Sequence, residues 1–571
     1  MSAAATSGRS WQVIFTVAVF LVVAVTTFII VYPLGAMVAR VFFPDGHFTL
    51  DAFGAVFSDA ATAEIFWNTA ILVGFSTTAA VAIGTLLAWL NERTDASFGL
   101  MSELLPLIPL LVPLIATAIG WVFLLAPTGG FINVFWRWLA SGMGVQGAGP
   151  LFNIYSMKGM IFVATLCLVP YGYLIVAAAL RNLDPVLEEA SRISGASPAR
   201  TLVRVTLPLV LPAIGAAFLL TLIAGVALFS VPVVIGSGAR IDVVSVRIFR
   251  LIYSSYPPRM DVALVLSLML MAFVQVAVLL QASLVGRGKH ARIGGRGQKQ
   301  ALVELGRGRW IARLLMWLFI VSTTVLPVSS LFLVSLQPYW LPSINFHTLG
   351  FQHFRTVLFE NSLTSRAFVN SLLLSSVGAT IAIFVGAIVT LFIERHAGVV
   401  ARIADAVTAL PAAIPHTVIG VGFLLTFAAA PFRLQGTFLM LLMAYLVMYL
   451  PQAVRSTNAA AAQIGRDLGE ASQVCGATPA KTFFRISFPL MLPGLMAGWI
   501  VLFSLIMGEL TVSALLGSTR TPVLGQVMLD LWDGGTFPQI AALAVAVTVV
   551  NTLVVAGVLS LNRRRQARSE A

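Results

Sequence analysis

Residues 189–212 read "EASRISGASPARTLVRVTLPLVLP", and residues 470–493 read "EASQVCGATPAKTFFRISFPLMLP". The two stretches are 281 residues apart, align without a gap and share 13 of 24 positions. Each is polar at its start and then runs into an apolar segment carrying two prolines. Asp184-Pro185 supplies a helix N-cap followed by proline at the first helical position. The helix continues through "VLEEASRIS" and stops at Gly195, since glycine accepts the left-handed conformation just past a helix end. Ser197-Pro198 caps a second short helix, which continues through Arg204, and Pro208 and Pro212 open the next apolar run. The second copy spells the same helix, turn and helix with Asp467, Gly476, Thr478 and Pro479. Helices this short are unstable alone and need a surface to pack on.

The surroundings of these stretches set the solvent. The chain has 571 residues, of which 59% are hydrophobic and 10% charged, and its mean hydropathy is +0.95. Soluble domains carry about 25% charged residues, so a soluble globular chain is excluded. The apolar runs are continuous and long enough for bilayer helices of about 20 residues. A β-barrel would instead show alternating segments of about ten. The fold class expected is an all-α polytopic membrane protein with about twelve spans. In the first half they lie near 13–38, 66–90, 104–126, 157–181, 207–232 and 261–285. In the second half they lie near 311–337, 368–393, 404–430, 436–456, 488–516 and 537–561. The first run is too long for the core of a signal peptide.

Charge sets the orientation. The net charge of +13 belongs to cytoplasmic loops under the positive-inside rule rather than to a nucleic-acid site. With both termini inside, about 24 of the 35 Lys and Arg residues fall on the cytoplasmic side. The polar loops 182–206 and 457–487 both land there. Residues 286–310 are rich in Gly and basic residues and read as a flexible cytoplasmic linker. This divides the chain into a first repeat (1–285), the linker, and a second repeat (311–571). "GRGK" in the linker lacks the spacing of a phosphate loop. Cys167 and Cys475 suggest neither a disulfide framework nor a metal site. No nucleophile–base arrangement, cofactor motif or metal-ligand spacing is found, so the chain is read as a non-enzyme.

Other features recur at an offset of 302. Asn68 pairs with Asn370, "NER" at 91–93 with "IER" at 393–395, and Pro109 and Pro113 with Pro411 and Pro415. The difference from 281 places about 21 extra residues in the first outer loop, where a short interfacial helix carrying Trp136 and Trp138 is expected. Six spans per half give parallel repeats.

The pattern E-A-x-x-x-x-G followed by a proline-bearing apolar segment resembles the EAA loop of ABC importer permeases of the binding-protein-dependent type. Both copies carry serine, Ser191 and Ser472, where that family's third position is alanine. The resemblance implies the type I ABC importer permease fold and a coupling helix that docks on an ATPase. The docking residues it implies are Glu189, Ala190, Gly195, Pro198 and Arg204, with Glu470, Ala471, Gly476, Pro479 and Arg485. It further implies two copies of a cytosolic ATPase, a periplasmic solute-binding protein and a place in the bacterial inner membrane. The whole chain is similar to permeases of ferric-iron and 2-aminoethylphosphonate importers, and the fold is shared with thiamine and polyamine permeases. Ferric iron is the substrate expected first.

Ionisable residues inside spans are costly and often functional. Glu509 either faces a central cavity or is paired with a neighbour near the outer interface. His416 either lines the pathway or packs between helices. The outer residues Arg240, Arg247, Arg250 and Arg259 either dock the binding protein, attract an anion or form a solvated face. An ion-coupled secondary transporter would also show twelve spans, but it does not need paired cytoplasmic loops. No ring of charges suggests a channel.

Overall fold

A computed structural model describes the chain except residues 1, 45, 99–107, 288–301, 396–397, 463–470, 473 and 571. Among the described residues the regular structure is helical, with one isolated bridge between Thr94 and Val303. Among the described residues ten helices are long and apolar enough to cross a bilayer: Phe20–Phe42, Ala60–Arg93, Met157–Arg181, Pro198–Val226, Met260–Gln281, Gly308–Leu336, Ser362–Thr390, Phe438–Ala462, Phe483–Met507 and Phe537–Ser560. They correspond to ten of the twelve expected spans.

The other two expected spans, the third of each half, are not straight helices. The region expected at 404–430 consists of Val399–Ala413 and His416–Phe427, bent by 107°. In the region expected at 104–126 the described part holds a tight turn, Ile108–Leu111, and a helix, Leu114–Leu125. A helix of 12 residues rises about 18 Å, well short of a hydrocarbon core of about 30 Å. The cause is the doubled proline. Pro113 (φ −55°, ψ 141°) and Pro415 (φ −55°, ψ 140°) adopt the same extended conformation, and a proline nitrogen cannot donate to the preceding turn.

The chain forms two compact units. One holds residues 51–357 and 530–546, the other residues 1–50, 358–529 and 547–571. They do not coincide with the sequence repeats 1–285 and 311–571, because the first span of each repeat is built into the unit of the other. In the first unit, Gly308–Leu336 packs on Leu114–Leu125. A Cβ on Gly120 would lie 2.7 Å from the Pro327 backbone, Trp121 Nε1 donates to Ser322 O at 3.2 Å, and Ser330 Oγ donates to Gly120 O at 2.8 Å. In the second unit, the first span packs on His416–Phe427. There Pro33 and Met37 lie against Gly422, and Tyr32 meets Phe427 at a ring separation of 6.0 Å.

Inside each unit the second and fourth spans pack closely at a glycine. A Cβ on Gly84 would stand 2.8 Å from Tyr173 N, and one on Gly386 3.0 Å from the Ala453 carbonyl carbon. Without water to drive helices together, close backbone approach through small residues supplies the packing. The expected interfacial helix is Phe131–Gly142, with Trp138 exposed. Buried Asn133 ties it down, donating to Leu125 O at 3.0 Å and Phe152 O at 2.8 Å.

Candidate functional site

The first polar loop begins with the helix Val186–Ile193, and Asp184 Oδ1 accepts from Val186 N at 3.0 Å. Gly195 lies at φ +83°. Ala196 N donates to Ser191 O at 3.1 Å and closes the helix end, as a Schellman turn does. In the second loop Gly476 lies at φ +81° and Ala477 N donates to Ser472 O at 3.1 Å. Ser197 Oγ accepts from Arg200 N, and Thr478 Oγ1 from Lys481 N. Among the described residues the two loops therefore share the turn and the cap after it, as well as their spelling.

Each loop runs without a break into a span. After Pro198–Thr201 the chain forms one π turn, Leu202–Thr206, and continues as Leu207–Val226. The second copy does the same through Pro479–Thr482, Phe483–Ser487 and Phe488–Met507. The prolines at the start of each span lack an N–H. The wider i→i+5 turn carries the helix past them, with Leu207 N bonding to Leu202 O and Phe488 N to Phe483 O. Each loop is thus helically continuous with its span.

The serines that depart from alanine have a shared role. Ser191 Oγ lies 3.0 Å from Thr201 Oγ1, and Ser472 Oγ lies 2.9 Å from Thr482 Oγ1. Each bond bridges the turn and fixes the first helix against the second. On the outer side of the turn, Ile193 and Val474, equivalent at the 281 offset, are each 88% exposed. Glu189 is half-buried and Ala190, Ala471 and Arg204 are exposed. Glu470 lies outside the described residues, and Pro479 and Arg485 stand in the second copy's short helix and π turn.

Glu188, not singled out in the sequence reading, turns inward. It is 5% exposed, accepts from Thr206 Oγ1 at 2.6 Å, and lies 3.4 Å from the guanidinium of Arg93, itself 2% exposed. Arg93 also donates to Leu180 O and Leu183 O, both at 2.8 Å. Its neighbours in "NER" act on the same helix. Asn91 Nδ2 donates to Tyr173 at 2.8 Å, and Glu92 pairs with Arg181 at 2.8 Å. The recurrence of "NER" as "IER" was the available signal, but its partners lie about 90 residues away in sequence. The linker also differs from expectation at its end. Val303 N donates to Arg93 O at 2.9 Å, Asp95 N to Val303 O at 3.1 Å, and Leu305 N to Asp95 Oδ1 at 3.0 Å. The residues just before span seven are thereby pinned to the loop after span two.

Of the two readings of Glu509, the geometry favours the paired one. Its carboxylate is 5% exposed and accepts from Val512 N at 3.0 Å, Ser513 N at 2.9 Å and Ser513 Oγ at 2.9 Å. It caps the short helix Thr511–Leu516, and Tyr445 supports Ser513 at 2.7 Å. His416 opens the helix after the break, half-buried, with its ring 5.9 Å from that of Tyr449. Of the arginines expected outside, Arg247 pairs with Asp59 at 3.3 Å, and Arg250 pairs with Asp242 and donates to Ser237 Oγ. Arg240 and Arg259 are exposed and have no ion pair among the described residues. Nearby Asp533 is raised above the usual carboxylate range by burial, against the pull of Arg250, and Asp530 is raised by burial and by Asp533. The matched pair Asn68 and Asn370 holds the loops expected outside alike, donating to Asp242 O at 3.3 Å and Pro522 O at 2.8 Å. Among the described residues no three His, Cys, Asp or Glu side chains converge as a metal site.

The model of the family "Binding-protein-dependent transport system inner membrane component" matches residues 80–289 and again 378–567. The chain belongs to this family. The permease thus carries the family unit twice, and it is a multi-pass membrane protein that works with partner subunits rather than an enzyme. It is 25% identical over 494 residues, 86% of this chain and 75% of the relative, to a putative ferric transport system permease protein FbpB 1 of Haemophilus influenzae. It is 24% identical over 515 residues, 89% of this chain and 73% of the relative, to the ferric transport system permease protein FbpB of Actinobacillus pleuropneumoniae. A putative 2-aminoethylphosphonate transport system permease protein PhnV of Salmonella typhimurium is 24% identical over 257 residues, covering 44% of this chain and 94% of that protein. That relative has the size of one repeat.

Proposed function

We propose that the permease forms the translocation pathway of an ATP-driven ferric-iron importer in the inner membrane, with both termini in the cytoplasm. The observation that carries the reading is the pair of polar loops, each continuous through a π turn with a span. One ATPase subunit docks on each loop, with Ile193 and Val474 as the apolar tips that enter its surface. Glu189, Ala190, Gly195, Pro198 and Arg204, with Glu470, Ala471, Gly476, Pro479 and Arg485, complete the two contacts. ATP binding moves the loops, the attached spans tilt, and the pathway opens to a periplasmic binding protein. An ion-coupled carrier has no use for this connection.

The broken third spans leave backbone polar groups at membrane depth, which is tolerated where the backbone lines a cavity or is buried in protein. We assign the pathway to these breaks, with His416 at one of them. Glu509 serves as a helix cap. Docking of the binding protein falls to Arg240 and Arg259, since Arg247 and Arg250 are engaged within the fold. Charge reversal at Arg240 and Arg259 weakens binding-protein affinity at low salt; unchanged affinity removes this assignment.

Iron is favoured by the two relatives that cover most of the chain. Uptake of labelled ferric iron by iron-limited cells, with and without the chain, tests it. Restoration on re-expression supports iron. Uptake indifferent to the chain rejects iron, and 2-aminoethylphosphonate, named in the relative that matches one repeat, becomes the substrate to measure.

A further inference from the structure

The first coupling loop carries a buried contact that its counterpart does not spell in sequence. Glu188 of the first loop reaches past the surface to Arg93 and Thr206. At the 281 offset its counterpart is Gly469, whereas the adjacent Glu189 is matched by Glu470. The glycine has no side chain with which to repeat the contact. Arg93 is held from three directions. Its guanidinium donates to the carbonyls of Leu180 and Leu183 and lies 3.4 Å from the Glu188 carboxylate, and its own carbonyl accepts from Val303 at the end of the linker. It is the last residue of the second span. The first coupling helix is therefore tied to the second span, to the end of the fourth, and through Thr206 to the root of the fifth.

We propose that Arg93 and Glu188 are positioning residues of the transport cycle, making the first coupling loop move as one piece with spans two, four and five. Glu188 faces inward, whereas Ala190 and Ile193 of the same loop are exposed, so the pair transmits motion without touching the ATPase. This inference rests on the importer reading above.

The test uses the complete complex of permease, ATPase and binding protein, purified from its own cells and reconstituted in proteoliposomes. Three quantities are read: ATPase retained per permease, ATP hydrolysed, and labelled ferric iron imported per ATP. With Glu188→Gly, the ATPase stays bound while import per ATP falls about tenfold or more; Glu188→Asp recovers part of that loss. Glu189→Gly, on the docking face, instead releases the ATPase. Because removing one partner leaves a buried charge and can cost the fold, the double variant Arg93→Met/Glu188→Leu is measured alongside. It replaces the pair by apolar groups, folds, and also loses import per ATP. The proposal is overturned if either folded variant imports within about twofold of wild type per ATP. It is equally overturned if Glu188→Gly sheds the ATPase as Glu189→Gly does. Failure of the unaltered chain to bring down any ATPase would reject the importer reading itself.

Discussion

At Ser191 and Ser472 a hydroxyl stands where the resembled family pattern has a methyl group, and in both places it meets a threonine ten residues on, Thr201 or Thr482. A side-chain hydrogen bond of this kind contributes about 1 kcal/mol net. Ser191→Ala and Thr201→Val should each lower the unfolding temperature. The double variant should lose no more than the costlier single change, a cycle read by thermal unfolding in detergent. Additive losses would mean that the two hydroxyls do not bond. Glu509 makes a second residue-level case. Its carboxyl group receives three hydrogen bonds at the start of Thr511–Leu516, and such a bond contributes about 1 kcal/mol net. Glu509→Gln should therefore cost stability while leaving iron uptake per folded permease unchanged; a loss of uptake at full stability would return Glu509 to the pathway. Asp530 carries the opposite sign. Burial and Asp533 raise its pKa, so the folded state binds its proton more tightly than the unfolded chain does. Its ionised form costs stability above the folded pKa, and the cost disappears as pH falls through it. Asp530→Asn should raise the unfolding temperature near pH 7.5, and the gain should shrink as the pH is lowered and the native carboxyl takes up its proton. A gain that persists in acid would contradict the assignment.

Helices Ala60–Arg93 and Met157–Arg181 in the first unit, and Ser362–Arg395 and Phe438–Ala462 in the second, approach one another at Gly84 and Gly386. Any larger side chain meets backbone, which cannot rotate away. Gly84→Leu or Gly386→Leu should force the pair apart, at a cost of about 1–3 kcal/mol or more for overpacking. Both should reduce the folded yield after membrane extraction, measured by size-exclusion chromatography, whereas Gly74→Leu, where nothing lies within 4 Å, should not. At this scale the sequence is most readable. Apolar length located ten spans, and glycine with a proline three residues on marked the turn of each polar loop. The broken third spans were half legible: Pro109 and Pro113, Pro411 and Pro415 were visible as a repeat, yet hydropathy alone joins the pieces on either side into one run. Glu188 was illegible because it is one of two adjacent glutamates, and only the fold shows which faces Arg93. The sequence likewise gives no hint that Arg247 finds Asp59, because a contact between residues 188 apart leaves no local pattern.

For the molecule as a whole, the unexpected feature is that each repeat lends its first span to the other unit. The helix Ser2–Phe42 is too apolar to declare a partner, having no strongly one-sided face, so its place is set by shape: Pro33 and Met37 fit over Gly422, and Phe28 and Tyr32 lie among Phe427 and Phe432. In lipid this complementarity is the main source of association, because lipid tails are as apolar as the helix. Deleting residues 1–50 should consequently damage the second repeat more than the first. Limited proteolysis of the truncated chain in detergent should open new cleavage sites within 358–529 while 51–357 keeps its protection. The reciprocal experiment cuts the chain in the linker and co-expresses the fragments. Loss of Gly308–Leu336 from the second fragment should then expose Leu114–Leu125 of the first, since Trp121 and Gly120 lose Ser322, Pro327 and Ser330. Cleavage confined to the repeat that lost its own first span would show that the exchange does not hold the units together. The predicted crosswise pattern would mean that neither repeat completes its packing until both are made, so the fused chain secures equal supply of two halves that depend on each other.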